Sequence, residues 1–184
     1  MERSGKSPVS FVAHVGRLPR KGMPVIVEAN EKQRAALARD HDLAKVERYR
    51  AELTVEPWKR NGVRVSGSVV ADIVQECVVT LDPIATRIHE TFESIFLPED
   101  SRLGREGFHV GGEIVLEPDG PDSPETFGGD TLDVGALAEE HFGLAIDPYP
   151  RKASAALPPE ISPADGEPEE GPLQQKLRLL RHKL

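Results

Sequence analysis

Apolar and polar residues alternate through the middle of the chain. Tyr49, Ala51, Leu53 and Val55 occupy odd positions, and charged or hydroxyl side chains separate them. Because successive side chains of a strand point to opposite faces, this pattern predicts a strand at 44–58 with one solvated face. A second strand is predicted at 62–81, where the odd positions are again apolar: Val63, Val65, Val69, Ala71, Ile73, Cys77, Val79 and Leu81.

The connection between these strands contains Asn61-Gly62. A two-residue turn would pair odd with even positions and place apolar beside polar side chains. A three-residue loop, 60–62 with a left-handed Gly62, keeps the apolar positions on one face. That register predicts the pairs Lys59–Val63, Leu53–Val69, Ala51–Ala71 and Tyr49–Ile73. On the outer face it predicts an Arg50–Asp72 ion pair and a Trp58–Arg64 cation–π contact.

A third strand is predicted at 84–97. The Asp82-Pro83 pair suits the start of a type I turn, and beyond it the apolar positions become even: Ile84, Ile88, Phe92 and Phe96. The same spacing would also fit one side of a helix. The β-branched and aromatic residues of the segment favour the strand.

Shorter elements flank this region. Two strands, at 9–15 and 24–28, are expected to join the sheet. Most of 99–130 is predicted to be an acidic loop, with 113–117 as its one strand.

Two helices are predicted from their N-terminal signals. Asn30 and Gln33 fit a capping box ahead of a helix at 31–42. Asp133 fits the N-cap of a second helix, which extends to about Ala145 and covers one end or face of the sheet.

Together these elements predict an α+β fold: a β-rich, mainly antiparallel sheet packed by two short helices. The pattern leaves open whether the sheet closes partly into a barrel. Residues 1–152 would form one domain, and 153–184 a flexible C-terminal extension. The extension combines an acidic linker with a basic amphipathic segment that carries Leu173, Leu177, Leu180 and Leu184.

Charge is distributed unevenly along the chain. The net charge is -8, but residues 1–98 carry 15 basic against 13 acidic side chains, whereas 99–170 carry 4 against 18. The β region therefore permits a local basic face for a polyanion. The single cysteine excludes an internal disulfide and a cysteine-cluster metal site. No stretch approaches a membrane span or an export signal, so a cytoplasmic location is expected.

Catalytic signatures are missing from the sequence. There is no Gly-rich phosphate loop, His-Glu-x-x-His or Gly-x-Ser-x-Gly motif. Cys77 and His89 fall on opposite faces of the predicted strands, so their side chains should point apart. A buried structural cysteine is therefore expected. We therefore expect neither catalytic residues nor a metal or cofactor.

The candidate RNA- or partner-binding surface is the outer face and tip of the first hairpin. Its cations and single aromatic residue suit phosphate contact and base stacking: Arg48, Arg50, Trp58, Lys59, Arg60 and Arg64. The competing interpretation is a solvated sheet face with cross-strand ion pairs. Arg151 and Lys152, which follow Tyr149, form a second candidate.

One segment resembles a known family. Gly67-Ser-Val-Val-Ala-Asp-Ile-Val-Gln-Glu-Cys-Val-Val-Thr-Leu-Asp-Pro-Ile84 is similar to the core of the YceD family, the large ribosomal RNA subunit accumulation proteins. The resemblance continues through 92–98, 132–141 and 147–152. Many members carry Cys-x-x-Cys before Leu-Glu/Asp-Pro, but the second cysteine is replaced here. The motif is therefore interpreted as structural, with the residues Cys77, Thr80, Leu81, Asp82 and Pro83.

The resemblance implies a bacterial cytoplasmic protein needed for accumulation or processing of large-subunit ribosomal RNA. Its partners would be that RNA or ribosome-assembly proteins, and no catalytic role accompanies it. The leading hypothesis is a non-enzymatic assembly factor. The alternative is a protein-interaction adaptor that uses the acidic extension and the C-terminal Leu-rich segment.

Overall fold

Three long antiparallel strands form the centre of the fold. The computed structural model describes residues 6–59, 61–99 and 125–154. The chain divides into two units, Met1–Lys152 and Ala153–Leu184, and the elements of the fold lie in the first. In chain order they are β1 (Val12–His14), a 3-10 turn (Val15–Arg17), β2 (Met23–Glu28), α1 (Glu31–Asp40), β3 (Lys45–Trp58), β4 (Gly62–Glu76), β5 (Pro83–Pro98), β6 (Glu125–Phe127), β7 (Thr131–Asp133) and α2 (Val134–Leu144).

The described strands form two sheets. The larger has the order β2-β3-β4-β5-β6, and only its β5–β6 pair is parallel. β1 and β7 pair in a separate two-stranded sheet. The larger sheet is open, with β2 and β6 at its edges, so the described strands do not close into a barrel. Together with α1 and α2, they confirm the predicted β-rich α+β class.

The inner face of the larger sheet holds most of the buried core. Odd-numbered residues of β3 and β4 line it, as the alternation predicts, and Ala51, Val55 and Val65 are fully buried. A β-bulge shifts the register between Val46 and Arg48. Because the bulge adds one residue to β3, Val46 is buried on an even position while Tyr49 is buried on an odd one.

The predicted register between β3 and β4 is wrong by two residues. Leu53 lies opposite Gly67 and Tyr49 opposite Ala71, whereas the prediction paired them with Val69 and Ile73. The apolar face survives because a two-residue shift returns every side chain to the same side. The turn also differs, since Lys59, with φ of 48°, adopts the left-handed conformation predicted for Gly62.

Glycines explain this register. A Cβ added at residue 67 would lie 2.2 Å from the carbonyl oxygen of Glu52, so only glycine permits so close an approach. A Cβ added at residue 62 would lie 2.9 Å from the Trp58 ring. Both positions therefore require glycine. In the predicted register, Gly67 would not lie opposite Leu53, and Gly62 would not lie opposite Trp58.

β4 ends earlier than predicted. It stops at Glu76, and residues 77–82 form a turn in which the Leu81 N–H donates to the Cys77 carbonyl at 2.8 Å. Leu81 has a φ of 60° and is 72% exposed, so the prediction of an inward-facing strand residue is wrong there. Cys77 itself is fully buried, as predicted.

β5 confirms the strand and excludes the helical alternative for this segment. Its even positions face the core because Ile88 pairs with Ala71, and Phe96 pairs with Val63. Residues four apart share a side in both kinds of structure, so the spacing alone could not distinguish them.

Both predicted helices are present. The capping box of α1 is complete, with the Asn30 side chain accepting from the Gln33 N–H and the Gln33 side chain accepting from the Asn30 N–H. The Asp133 carboxylate accepts from the N–H of Ala136 at the start of α2. α2 packs on the inner face, where Phe142 contacts the ring of Tyr49 edge-on at 5.4 Å.

The short strands were predicted less well. The strand expected at 24–28 is β2 and joins the larger sheet, as expected. The strand expected at 9–15 shortens to β1 and pairs with β7 instead, so its expected place in the larger sheet is wrong. Both β6 and β7 were missed, since three-residue strands carry too little alternation to detect. The strand predicted at 113–117, the linker and the C-terminal segment lie outside the described residues.

Phe142 should carry much of the packing between α2 and the sheet. It is fully buried against Tyr49 and His41, so we expect Phe142→Ala to lower the free energy of unfolding by about 3–5 kcal/mol. Leu144→Ala on the same helix is the matched control, because Leu144 is 77% exposed and should change stability by only about 0.5 kcal/mol. Urea denaturation followed by circular dichroism measures both, and equal losses would contradict this packing.

Candidate functional site

The outer face of the larger sheet carries alternating charges. Arg50 contacts the carboxylates of both Glu28 and Glu52, the latter at 2.7 Å. Hydrogen bonds from its guanidinium to Glu52 and then Glu28 raise the pKa of Arg50. The predicted Arg50–Asp72 ion pair is wrong. Asp72 lies opposite Arg48 in the β3–β4 register, and its carboxylate is 3.8 Å from Arg87.

Arg64 is held in a similar way. Its guanidinium lies 3.1 Å from Glu56 and 3.7 Å from Glu93. The predicted Trp58–Arg64 contact is wrong, because the two-residue shift places Gly62 opposite Trp58 and Glu56 opposite Arg64. A different cation–π contact replaces it, with Lys59 Nζ 4.2 Å from the centroid of the Trp58 ring.

The cations of the predicted surface therefore fall into two groups. Arg50 and Arg64 each have two carboxylates nearby, which supports the interpretation as an ion-paired sheet face. Arg48 is exposed and makes no ion pair with any described residue, and Lys59 contacts the Trp58 ring. Arg60 lies outside the described residues. Within the part of the chain that the structure describes, Arg48 and Lys59 are thus the members best placed to meet an anionic ligand.

The second candidate, at 151–152, belongs to a different end of the sheet. Arg151 is exposed, while Lys152 Nζ lies 3.1 Å from Asp82. The segment before it is tied to the end of β4, where the Val78 N–H donates to the carbonyl of Pro150 at 3.0 Å. The Gln75 side-chain amide likewise donates to the Asp147 carbonyl at 2.8 Å. We call these contacts between 75–82 and 147–152 the clasp.

Cys77 lies at the centre of the clasp. The Thr80 hydroxyl donates to its sulfur, as do the backbone N–H groups of Lys152, Thr80 and Val79, and together they lower the pKa of the Cys77 thiol to about 6. Burial acts in the opposite direction and is outweighed. Sequence reasoning placed Cys77 correctly in the interior but missed its hydrogen bonds to the chain some 75 residues later.

Thr80 also has a second acceptor. Its hydroxyl lies 3.0 Å from Asp82 Oδ2, and Lys152 and then Thr80 lower the pKa of that carboxyl. A hydroxyl has one proton, so it donates to either Cys77 or Asp82 at a given moment. The Thr80 hydroxyl therefore lies between two acceptors, the Cys77 sulfur and the Asp82 carboxylate.

The clasp holds one thiol and one neighbouring hydroxyl. Thr80 supplies a hydroxyl beside the single thiol and no second thiolate. Among residues 6–59, 61–99 and 125–154, no three His, Cys, Asp or Glu side chains gather in a set that could hold a metal ion.

A buried ionisable pair was missed by the sequence analysis. His41 Nε2 and Glu139 Oε1 are 3.1 Å apart, and their side chains are 3% and 11% exposed. Burial, and then the charge of Glu139, raise the pKa of the neighbouring Tyr49 hydroxyl. His41 and Glu139 are 98 residues apart, and no local sequence pattern links them. They meet because α2 packs over the inner face. The pair joins the end of α1 to α2 beneath the protein surface.

The fold and these surfaces define a class of protein: an α+β protein with an open sheet, a charged outer face and a clasp between 75–82 and 147–152. A sequence model described as "Large ribosomal RNA subunit accumulation protein YceD" matches residues 65–177. The chain therefore belongs to the YceD family, as its sequence resemblance indicates. No curated protein and no solved structure matches it significantly. None of the described helices is long and apolar enough to cross a membrane.

The lowered pKa of Cys77 should make stability depend on pH. The thiolate is favoured in the folded state, with a pKa of about 6 against about 8.5 in an unfolded chain. Its hydrogen bonds therefore stabilise fully above about pH 8.5, and this contribution is lost as pH falls through 6. We expect the stability difference between wild type and Cys77→Ser to grow as pH rises across this range.

Urea denaturation at several pH values measures that difference. Thr80→Val removes the hydroxyl and should raise the thiol pKa, whereas Thr80→Ser keeps the donor and is the matched control. Parallel stability curves for wild type and Cys77→Ser would contradict the thiolate assignment.

Proposed function

We propose that this protein is a bacterial, cytoplasmic ribosome biogenesis factor that supports accumulation of large-subunit ribosomal RNA. The observation that carries the proposal is the family match over residues 65–177, whose description names that RNA. In this proposal the protein acts by binding RNA or an assembly protein and not by catalysis. Its effect on the RNA would then come from protecting or organising a precursor.

The chemistry of the family motif supports a binding role. Cys77 is the most nucleophilic type of side chain in the motif, but it has no accessible surface and accepts several hydrogen bonds. A nucleophile must reach its substrate, so a sulfur enclosed in this way is better suited to holding the clasp together. The proposal therefore assigns Cys77, Thr80, Leu81, Asp82 and Pro83 a structural role.

The proposed binding surface is the tip and outer face of the β3–β4 hairpin, with a smaller contribution from Arg151 and Lys152. Arg48, Lys59 and Arg60 would contact phosphates, and Trp58 would stack on a base once Lys59 leaves its ring for a phosphate. Arg50, Arg64 and Lys152 would contribute less, since each already lies within 4.0 Å of a carboxylate that a phosphate would have to replace.

Deleting the gene tests the proposed function in cells. We expect less mature large-subunit RNA and fewer complete large subunits, while small-subunit RNA stays unchanged, because the family description names only the large-subunit RNA. Sucrose-gradient profiles and quantitative RNA analysis measure both, and a plasmid copy of the gene is the control. Unchanged large-subunit RNA would refute the proposal. A truncation after Lys152 that loses every partner while the sheet stays folded would favour the adaptor hypothesis.

Direct RNA contact through the hairpin has its own test. Arg48→Gln, Lys59→Gln and Arg60→Gln together should weaken binding of a labelled single-stranded RNA on the order of tenfold, and reduce its salt dependence, because fewer phosphates are neutralised. The control replaces three exposed cations on or beside α1, Lys32, Arg39 and Lys45, by Gln and matches the change in net charge; Arg39 lies 3.4 Å from Asp40 and Lys45 3.1 Å from Glu47. Equal binding by the two triple variants in fluorescence anisotropy would argue against this surface.

A further inference from the structure

The two loops at one end of the larger sheet bring basic residues together. The connection from β1 to β2 contains Arg17, Arg20 and Lys21 between Gly16 and Gly22, with no acidic residue. All three side chains are exposed, and none makes an ion pair with a described residue. The turn after β3 adds Lys59 at the same end. We call this group the basic end.

Backbone packing fixes the first loop against the hairpin. Gly22 has a φ of 80°, and its N–H donates to the carbonyl of Pro19 at 2.9 Å, which closes a tight turn. A Cβ added to Gly22 would lie 3.0 Å from the Thr54 side chain and 3.4 Å from Glu56 Cβ. The loop is thus held directly beside the last residues of β3, so Arg17, Arg20 and Lys21 lie at the same end of the sheet as Lys59.

A cleft separates the two loops. It has a volume of about 460 Å³, and its lining includes Val15 and Leu18 from the first loop, Pro57 and Asn61 from the hairpin, and Phe127 from β6. The lining has six apolar side chains and the polar side chains of Lys59, Asn61 and Asp130, and the Asn61 amide provides both a donor and an acceptor. Such a lining can receive the flat, apolar face of an unstacked base and one of its polar edges.

Acidic residues set the direction in which a nucleic acid would bind. Asp130 also lines the cleft, and Glu99 lies beside Gly128, so both of these carboxylates belong to the β5–β7 side. Glu56 is already held by Arg64 at 3.1 Å. Phosphates would be repelled from the β5–β7 side and attracted to the side of Arg17, Arg20 and Lys21.

We propose that the basic end binds single-stranded RNA, with Arg17, Arg20 and Lys21 on the phosphates and a base in the cleft. Single-stranded RNA fits better than a duplex, because a duplex offers no unstacked base to the apolar lining. It also fits better than a peptide of acidic residues, whose charged side chains would bring no apolar ring to the cleft. The inference rests on the proposed function, since it names the RNA-contacting residues of the same protein, and it adds residues outside the hairpin face.

Charge substitution tests the basic end on the full chain. The variant R17Q/R20Q/K21Q should bind a labelled single-stranded RNA on the order of tenfold more weakly than wild type, and the slope of log affinity against log salt should fall by about 2. The control K32Q/R39Q/K45Q has the same net charge, and its side chains lie on or beside α1, beyond the opposite end of β2. The charge-conserving variant R17K/R20K/K21R should bind nearly as wild type does.

Fluorescence anisotropy at several salt concentrations measures these affinities, with circular dichroism to verify folding. A duplex of the same sequence and an oligoglutamate peptide serve as competing ligands. The proposal is overturned if both triple Gln variants lose affinity equally, if R17Q/R20Q/K21Q binds as wild type does, or if duplex or peptide binds more tightly than single-stranded RNA.

Cell experiments separate this inference from the proposed function. If deletion lowers large-subunit RNA but R17Q/R20Q/K21Q restores it and binds RNA normally, the basic end is refuted and the proposed function stands. If deletion leaves that RNA unchanged while the variant loses RNA affinity in vitro, the basic end stands and the proposed function is refuted.

Discussion

The pairing of β3 with β4 is the constraint on which most of this structure depends. It is determined where two backbones approach closely, at Gly67 beside Leu53 and at Gly62 beneath Trp58. A side chain at either glycine would collide with the neighbouring strand, so this register requires glycine at both positions. That register gives a continuous apolar inner face, and α2 then covers this face with Phe142.

The same register determines which charges on the outer face remain available. By placing Glu56 opposite Arg64, it directs that guanidinium to a carboxylate, and β2 brings Glu28 to Arg50 in the same way. Exposed ion pairs add little stability, but they lower the net field that a polyanion would experience. Arg17, Arg20 and Lys21 avoid this neutralisation, because they lie in a loop and make no ion pair with a described residue.

The family motif has a physical explanation in the clasp. Its cysteine accepts hydrogen bonds from a turn next to it and from the backbone of Lys152, so one sulfur connects the end of β4 to the segment after α2. Thr80 supplies a donor where a second cysteine would supply another thiolate. The Asp82 carboxylate adds an ion pair with Lys152. Together these contacts hold α2 and the sheet in one arrangement, which is the support that a binding surface on loops requires.

The sequence by itself determined the class of fold, the three long strands, both helices with their caps, and the family. These features rest on local regularities: alternation along a strand, a capping side chain three residues from its N–H, and a contiguous motif. Only the tertiary structure decided the register, the clasp, the buried His41–Glu139 pair and the position of Arg17, Arg20 and Lys21 beside the hairpin. The register could not be predicted, because a two-residue shift leaves the alternation of apolar and polar residues unchanged. The same shift does change which residue lies against each glycine. The other contacts join residues far apart in the chain, and no local pattern records which distant segments will meet.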